Sequence, residues 1–222
     1  MSRIATGSPV RTNAYPTSDG RPMAETDLHR LLMIDLLQAL EDWFADDPDV
    51  YVSGNLLLFY EEGNKRRHVS PDVFIVFGVP KQVRENYLLW EEGRGPSVVI
   101  ELTSSSTRRE DTHKKHALYR DVLRVPEYFQ FDPYGDYLTP PFQGYRLVGG
   151  QYRPMRLKDG RLRSRQLNLI LEPDVKQLRL VDPETGLRLP TRAEARAAAE
   201  AEVERLRAEL SGRSRGNERN GQ

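Results

Sequence analysis

The chain has 222 residues, of which 38% are hydrophobic and 30% are charged, enough for one sizeable core and marginal for two. Its 33 basic and 33 acidic side chains cancel, which argues against a protein that coats nucleic acid non-specifically but leaves room for a local basic patch. The absence of cysteine excludes disulfide bonds, thiolate zinc sites and cysteine nucleophiles.

The organisation along the chain predicts one main domain between two polar ends. Residues 1–22 are expected to form an irregular lead-in, residues 23–190 the domain, and residues 191–222 a helix followed by a disordered tail. No run reaches the ~18 apolar residues of a membrane span, and residues 1–22 lack the apolar core of a signal peptide. We therefore expect a cytoplasmic protein that makes no membrane contact.

A first helix is predicted over residues 24–45, because apolar side chains recur there at steps of three and four residues. The stripe consists of Leu28, Leu32, Leu36, Ala39 and Trp43. Glu25 extends the same face by one step, and His29 follows Glu25 by one helical turn. The helix is expected to be well buried.

Short apolar runs predict the strands of a sheet. Residues 50–60 are rich in Val, Leu, Tyr and Phe, while residues 73–77 (VFIVF) and 98–102 (VVIEL) are typical of strands covered on both faces. A charged loop or short helix is expected between them, over residues 81–95. A second helix over residues 109–123 and a strand at 127–131 (EYFQF) then complete a strand–helix–strand crossover unit.

The composition changes after Asp132, and the remaining segments predict a β-hairpin region and a helical tail. Four strands are expected, at residues 145–148, 152–155, 167–171 and 177–181, the first two joined by a Gly149-Gly150 turn. Residues 191–211 predict a helix with a seam of Ala199, Val203, Leu206 and Leu210. The seam spans under two heptads, which is too short to assert a homodimer and leaves one open.

Two acidic residues stand out, since each belongs to an apolar strand. Asp72 opens VFIVF and, taken alone, is more often a turn or strand-start residue. Glu101 lies inside VVIEL, whose apolar residues occupy both faces. It therefore needs a partner, because an unpaired buried charge costs several kcal/mol or more. A metal ion or a lysine would serve.

The second helix carries charge on its apolar stripe. Leu118 and Val122 mark the inward face, and counting back by three and four residues reaches Lys115 and then Asp111, with Tyr119 beside them. An ordinary ion pair between Asp111 and Lys115 on a solvated helix is the alternative interpretation.

Asp72, Glu101 and Lys115 together predict a divalent-metal site for cutting phosphodiester bonds. Two carboxylates suffice to hold Mg²⁺ or Mn²⁺ while positions remain for water and substrate oxygens. The ion would neutralise phosphate charge and lower the pKa of an attacking water. A lysine beside it is suited to orient that water or to stabilise developing negative charge.

A family resemblance is carried by these same segments. The runs YPTSDGRPMAETDLHR, PDVFIVF, VVIELTSSSTRREDTHKKHALY, VPEYFQFDP and QGYRLVGGQY resemble the Uma-two family of the PD-(D/E)XK nuclease superfamily, over about residues 15–171. The resemblance implies an α/β (α+β) fold with a restriction-endonuclease-like mixed central sheet flanked by helices. It also implies a Mg²⁺-dependent nuclease acting on DNA.

The resemblance also implies roles for individual residues. Asp72 matches the first acid of the family and Glu101 the second, whereas Thr103 stands where the superfamily pattern has its lysine. Lys115 matches a lysine that has moved to the following helix, with Asp111 before it. Glu25 is an additional candidate, because nucleases of this superfamily often use an acid on the first helix, although a first-turn acid is equally ordinary.

Other polar groups receive simpler interpretations. The four histidines, His29, His68, His113 and His116, lack a zinc spacing and are expected at the surface. The basic run at residues 65–68 is typical of a solvated hairpin tip. Arg108 and Arg109 lie next to the expected site and are better candidates for phosphate contacts.

Three functions remain open from the sequence. The first is a metal-dependent endonuclease on DNA. The second is a catalytically inactive nucleic-acid-binding or assembly module on the same fold, which the neutral net charge and the displaced lysine favour. The third is a hydrolase of a small phosphoester, which would require a narrow, closed pocket around Glu101.

Overall fold

The computed structural model of the chain describes residues 15–18, 26–103 and 109–219, with side chains outside the description at 109–112 and 211–219. In chain order the elements are α1 (Asp27–Trp43), β1 (Val50–Ser53), β2 (Leu58–Phe59), β3 (His68–Val69), β4 (Val73–Phe77), β5 (Tyr87–Leu88), α2 (Leu89–Glu92), β6 (Val98–Leu102), α3 (Arg109–Asp121), β7 (Glu127–Phe131), β8 (Phe142–Val148), β9 (Gln151–Pro154), β10 (Leu162–Ser164), β11 (Leu169–Asp174), β12 (Gln177–Val181) and α4 (Arg192–Arg219).

The central sheet has six strands in the order β1-β4-β6-β7-β8-β9. Strands β6 and β7 are parallel because α3 connects them as a crossover, while the other neighbouring pairs are antiparallel. The predicted mixed central sheet flanked by helices is therefore confirmed. Among the described helices, none is long and apolar enough to cross a lipid bilayer.

Each face of the central sheet has its own core. On one face α1 and the three-stranded sheet β10-β11-β12 cover Val98, Ile100 and Leu102 of β6. On the other face α3 and the small sheet β3-β2-β5 cover Val99. Side chains alternate between the two faces of the sheet along a strand. Strands β4 and β6 are buried on both faces, which is why apolar side chains occur on both faces of each strand.

The run at residues 50–60 forms two strands rather than one. Gly54 and Asn55 interrupt it, and Asn55 has a positive φ of 51°. The chain turns there, so that β2 leaves the central sheet and pairs with β3 and β5. The β2–β3 hairpin consequently stands beside α3, on the face of the sheet that carries Glu101.

Two other expectations need adjustment. Between residues 81 and 95 the predicted short helix is α2, and it is preceded by the two-residue strand β5. The expectation of a disordered tail from residue 211 is wrong as far as Arg219, because α4 continues to that residue.

Candidate active site

A row of polar side chains crosses the central sheet on its α3 face. Glu101 of β6 is in register with Gln130 of β7, and Gln130 with Gln143 of β8. Asp72 directly precedes Val73, which pairs with Ile100, so Asp72 lies beside Glu101 at the start of β4. Register neighbours on one face are close in space. The sheet therefore brings the two predicted acids together from chain positions far apart.

Asp72 is held by the backbone of the neighbouring strand. The Leu102 N–H donates to Asp72 Oδ2 at 2.7 Å, and His29 Nε2 lies 3.4 Å from Asp72 Oδ1. Gly54 is needed opposite, because a Cβ there would come within 2.2 Å of the Asp72 carbonyl oxygen. Burial raises the pKa of Asp72, but the His29 imidazole, the Lys115 ammonium and the Leu102 N–H together hold it below its ordinary value.

The interpretation of His29 as a surface residue is wrong. Its exposed fraction is 5%, and it lies on the buried face of α1 with Leu32 and Leu36. Because 100° separates successive helical residues, a residue three positions before Leu32 and seven before Leu36 falls on the same face. The spacing of the apolar stripe on α1 was therefore enough to predict that His29 is buried. The histidine lies next to Asp72.

Glu101 is buried, with 5% of its surface exposed, and both of its carboxylate oxygens have partners. The Lys115 ammonium donates to Oε2 at 2.9 Å, and the Tyr119 hydroxyl donates to Oε1 at 2.5 Å. Burial raises the pKa of Glu101, Lys115 lowers it and the Asp72 carboxylate raises it, with the result at about 7. The neighbouring carboxylates of Asp72 and Glu101 thus repel each other, and the Lys115 ammonium lies between α3 and the sheet, next to Glu101.

Lys115 reaches the site from α3, as the helical spacing predicts. Tyr119, one turn later, is fully buried on the same face, and its phenol has a pKa raised by burial and by Glu101, so that it acts as a donor. The Lys115 ammonium also lies 3.4 Å from the Ser70 carbonyl oxygen. The assignment of Val122 to the inward face is wrong, since 45% of its surface is exposed and the face follows the line from Lys115 to Tyr119.

Thr103, the residue that follows β6, has a structural role. Both its hydroxyl and its N–H donate to the Phe131 carbonyl oxygen, at 3.1 and 2.8 Å. These bonds join the residue that follows β6 to the last residue of β7. The amine of the site consequently comes from α3 and not from this strand.

Two buried polar groups near the acids were not found from the sequence. Gln130 Nε2 and the Tyr128 hydroxyl are buried, and neither has a hydrogen-bond partner within the described part of the chain. Tyr128 packs against Tyr119 with ring centroids 5.1 Å apart. Sequence patterns did not reveal them because EYFQF fixes a strand but not which residue of β6 each side chain meets.

A pocket of about 580 Å³ opens directly beside Lys115. Its walls come from the β2–β3 hairpin and from α3, and its lining residues are Leu57, Tyr60, Arg66, Arg67, His68, Val69, Ser70, Lys114, Lys115 and Leu118. The basic run at residues 65–68 was interpreted as a solvated tip, and its side chains are indeed largely exposed. Three of them nevertheless face the same pocket as Lys115.

Several candidate residues cannot be placed. Glu25 and Arg108 lie outside the described residues, and of Arg109 and Asp111 only the backbone, in α3, is described. Within the described ranges no three His, Asp or Glu side chains are grouped around a common point. Two carboxylates nevertheless fit a Mg²⁺ or Mn²⁺ ion, because such ions commonly keep several waters and use only one or two protein carboxylates.

One family model and one solved structure are similar to large parts of this chain. A family model described as "Uma2: Putative restriction endonuclease" matches residues 11–181, which include Asp72, Glu101 and Lys115. Among solved structures, a "putative nuclease belonging to DUF820" from Anabaena variabilis is similar with a TM-score of 0.48 and 11% sequence identity, over 64% of this chain and 75% of that chain. The comparison with curated proteins gave no match.

Proposed function

The chain belongs to the Uma2 family of restriction-endonuclease-like proteins, and from this premise we propose that it is a metal-dependent endonuclease that hydrolyses phosphodiester bonds of DNA. One observation carries the proposal. The largely buried carboxylate of Asp72 and the buried carboxylate of Glu101 lie side by side on neighbouring strands, and the Lys115 ammonium contacts Glu101 at 2.9 Å. Burying like charges together is costly unless cations compensate them, and perturbed acids of this kind are typical of functional sites.

Each side chain has a distinct task in this proposal. Asp72 and Glu101 would hold Mg²⁺ or Mn²⁺, which when bound neutralises charge on the scissile phosphate and makes a bound water more acidic. Hydrogen bonds from Leu102 and Tyr119 fix the two carboxylates in place before substrate arrives.

Lys115 would support the hydrolysis itself. A water oxygen attacks phosphorus, the bond from phosphorus to the leaving sugar oxygen breaks, and negative charge grows on the phosphoryl oxygens. The Lys115 ammonium stabilises that charge from the pocket side. The same ammonium favours the ionised form of Glu101, because it lowers the pKa of that carboxyl.

The second candidate is a catalytically inactive nucleic-acid-binding module on the same fold. The observation in its favour is that Lys115, Tyr119, His29 and Leu102 already partner the oxygens of Asp72 and Glu101. Such a module would bind DNA without cutting it. A homodimer and a cytoplasmic location stay predictions from the sequence.

Nicking of supercoiled plasmid and of labelled oligonucleotides tests the proposal. Wild-type protein is expected to cut with Mg²⁺ or Mn²⁺ and to stop cutting with EDTA. Asp72→Asn and Glu101→Gln proteins, shown to be folded by circular dichroism, are expected to lose activity. Cutting by both variants at the wild-type rate would point to a contaminant, and DNA binding without cutting in any divalent metal would favour the inactive module.

A further inference from the structure

The pocket beside Lys115 combines two chemistries. Its apolar part consists of Leu57, Val69 and Leu118 together with the ring of Tyr60. Its basic part consists of Arg66, Arg67, Lys114 and Lys115. A site for phosphate alone needs only the second part, whereas a nucleotide presents both an apolar base and an anionic phosphate.

The size of the pocket suits one small ligand group. A volume of about 580 Å³ lies within the range of ~300–1,000 Å³ that is typical of sites burying small molecules. A DNA duplex is far too wide to enter such a pocket. A single base that has left its stack is compatible with it, as in enzymes that extrude a nucleotide into a side pocket.

The walls also carry aromatic rings and a guanidinium group, the kinds of planar group on which bases stack. The Arg67 guanidinium lies over the Tyr60 ring, 5.2 Å from its centroid, and pairs with Glu61 at 3.1 Å, which holds the planar group in place. The His68 ring packs on Phe59 with centroids 5.2 Å apart. Aromatic rings and guanidinium planes are the usual platforms for unpaired bases.

Lys115 and Ser70 connect the pocket to the two acids. Lys115 lines the pocket and also donates to Glu101 at 2.9 Å. Ser70 lines it as well, and its carbonyl lies 3.4 Å from the same ammonium, two residues before Asp72. A nucleotide in the pocket would thus place its own phosphate at Lys115, where the proposed bond cleavage occurs.

We propose that this pocket binds one unstacked nucleotide next to the scissile phosphate, so that the preferred substrate is unpaired or single-stranded DNA. The inference rests on the proposed nuclease function, because it assigns a substrate class to the same site. The β2–β3 hairpin and the pocket-facing side of α3 are then the binding surface, with Arg66 and Lys114 contacting the backbone and Leu118 contacting the base.

Fluorescence anisotropy in EDTA tests this without any cleavage. Full-length protein is titrated into labelled oligothymidylate, a duplex of equal length, and an abasic strand of equal length that keeps the phosphates and lacks the bases. Oligothymidylate is expected to bind at least about fivefold more tightly than either, since stacking of one base is worth ~1–3 kcal/mol. Equal binding of the thymidylate and abasic strands overturns the inference, as does tighter binding of the duplex or no binding of any strand.

Matched variants locate the effect. Arg66→Glu is expected to weaken binding of every strand, whereas Arg153→Glu, an equal charge change on the exposed edge strand β9, is expected to leave the affinity for every strand nearly unchanged. Leu118→Ala, which removes apolar surface without adding charge, is expected to reduce thymidylate binding to the abasic level. The three-strand comparison on wild-type protein decides the inference even if the Leu118 variant does not fold.

The two proposals fail in distinguishable ways. A preference for thymidylate in EDTA, without cutting in any divalent metal, would exclude the nuclease function. It would support nucleotide binding in the pocket. Metal-dependent cutting of duplex and single strand at equal rates, with no preference in binding, would exclude nucleotide binding in the pocket. The nuclease proposal would be unaffected.

Discussion

The Lys115 ammonium lies 2.9 Å from the Glu101 carboxylate, although the two residues are on different elements and 14 positions apart. Glu101 is fixed in the middle of the sheet by strand register, and Lys115 is one helical turn before the buried Tyr119. The crossover from β6 through α3 to β7 folds the amine back over the strand from which the chain has just come. The amine thus reaches the Glu101 carboxylate from a helix and not from the strand that carries Glu101.

We expect Lys115→Met to lower the cleavage rate by about 10²-fold or more, a usual effect of removing one group that stabilises transition-state charge. Methionine keeps a similar length and apolar stem but lacks the ammonium. Plasmid nicking under saturating Mg²⁺ measures the effect. Lys158→Met, at an exposed turn remote in sequence from the site, is the matched control. A folded Lys115→Met protein with wild-type activity would exclude a catalytic role for the amine.

Opposite pH dependences of stability are expected for the two acids in metal-free protein. The pKa of Glu101 is raised to about 7 by burial and by Asp72, so the folded state holds that proton more tightly than the unfolded chain. Its contribution favours folding below the unfolded pKa near 4.5 and is lost as the pH rises towards 7. The pKa of Asp72 is lowered, so its contribution is present above 3.8 and is lost on acidification.

Urea unfolding in EDTA at several pH values measures this difference. The stability of wild type relative to Glu101→Gln is expected to fall between pH ~4.5 and ~7, by at most ~1.4 kcal/mol per pH unit, and to level off above that range. The stability of wild type relative to Asp72→Asn is expected to fall as the pH is lowered below ~4. The same trend for both variants would contradict the assigned environments.

Some structural features of this protein depend on local sequence periodicity, and these could be predicted from the sequence alone. Strands β4, β6 and β7 have the predicted limits because burial on both faces leaves a continuous apolar run in the sequence. Lys115 is placed correctly because helix geometry fixes which residues share a face. These features depend on local periodicity, which a sequence records directly.

Features that depend on register across strands were not predictable in the same way. Gln130 stands beside Glu101 only because β6 and β7 pair in that register, and nothing in EYFQF states the pairing. The exposure of Val122 likewise follows from how α3 is rotated against the sheet, whereas the burial of His29 was predictable from the apolar stripe of α1. Asp72 and Glu101 were associated through their chemistry and family resemblance, and their adjacency required the fold.

The two tyrosines near the acids give opposite predictions for removal of a hydroxyl. The Tyr128 hydroxyl is buried with no partner in the described residues, so Tyr128→Phe is expected to stabilise the protein by about 1 kcal/mol. The Tyr119 hydroxyl donates to Glu101 at 2.5 Å, and Tyr119→Phe is expected to destabilise it by about 1.5–3 kcal/mol. Chemical denaturation measures both, each variant serving as the control for the other. Equal destabilisation by both would mean that the Tyr128 hydroxyl has a partner, such as a bound water.

A buried carboxylate joins the small sheet β10-β11-β12 to the central sheet. Glu127 at the start of β7 has 1% of its surface exposed and accepts hydrogen bonds from Arg146 at 2.7 Å and from the Ser164 hydroxyl at 2.5 Å. The backbone N–H groups of Arg165 and Gln166 also donate to it. One side chain therefore satisfies donors from β8, from the end of β10 and from the turn that follows.

Glu127→Ala is expected to destabilise the protein by about 3–5 kcal/mol, because it leaves Arg146 and several buried donors without their acceptor. Glu200→Ala is the control, since Glu200 forms an exposed pair with Arg196 on α4 and such pairs contribute ~0–1 kcal/mol. At roughly 2–4 °C per kcal/mol for a chain of this size, thermal unfolding separates the two variants clearly. Equal melting temperatures would show that the small sheet is held by its leucine core, through Leu162, Leu169 and Leu171, and that the carboxylate adds little.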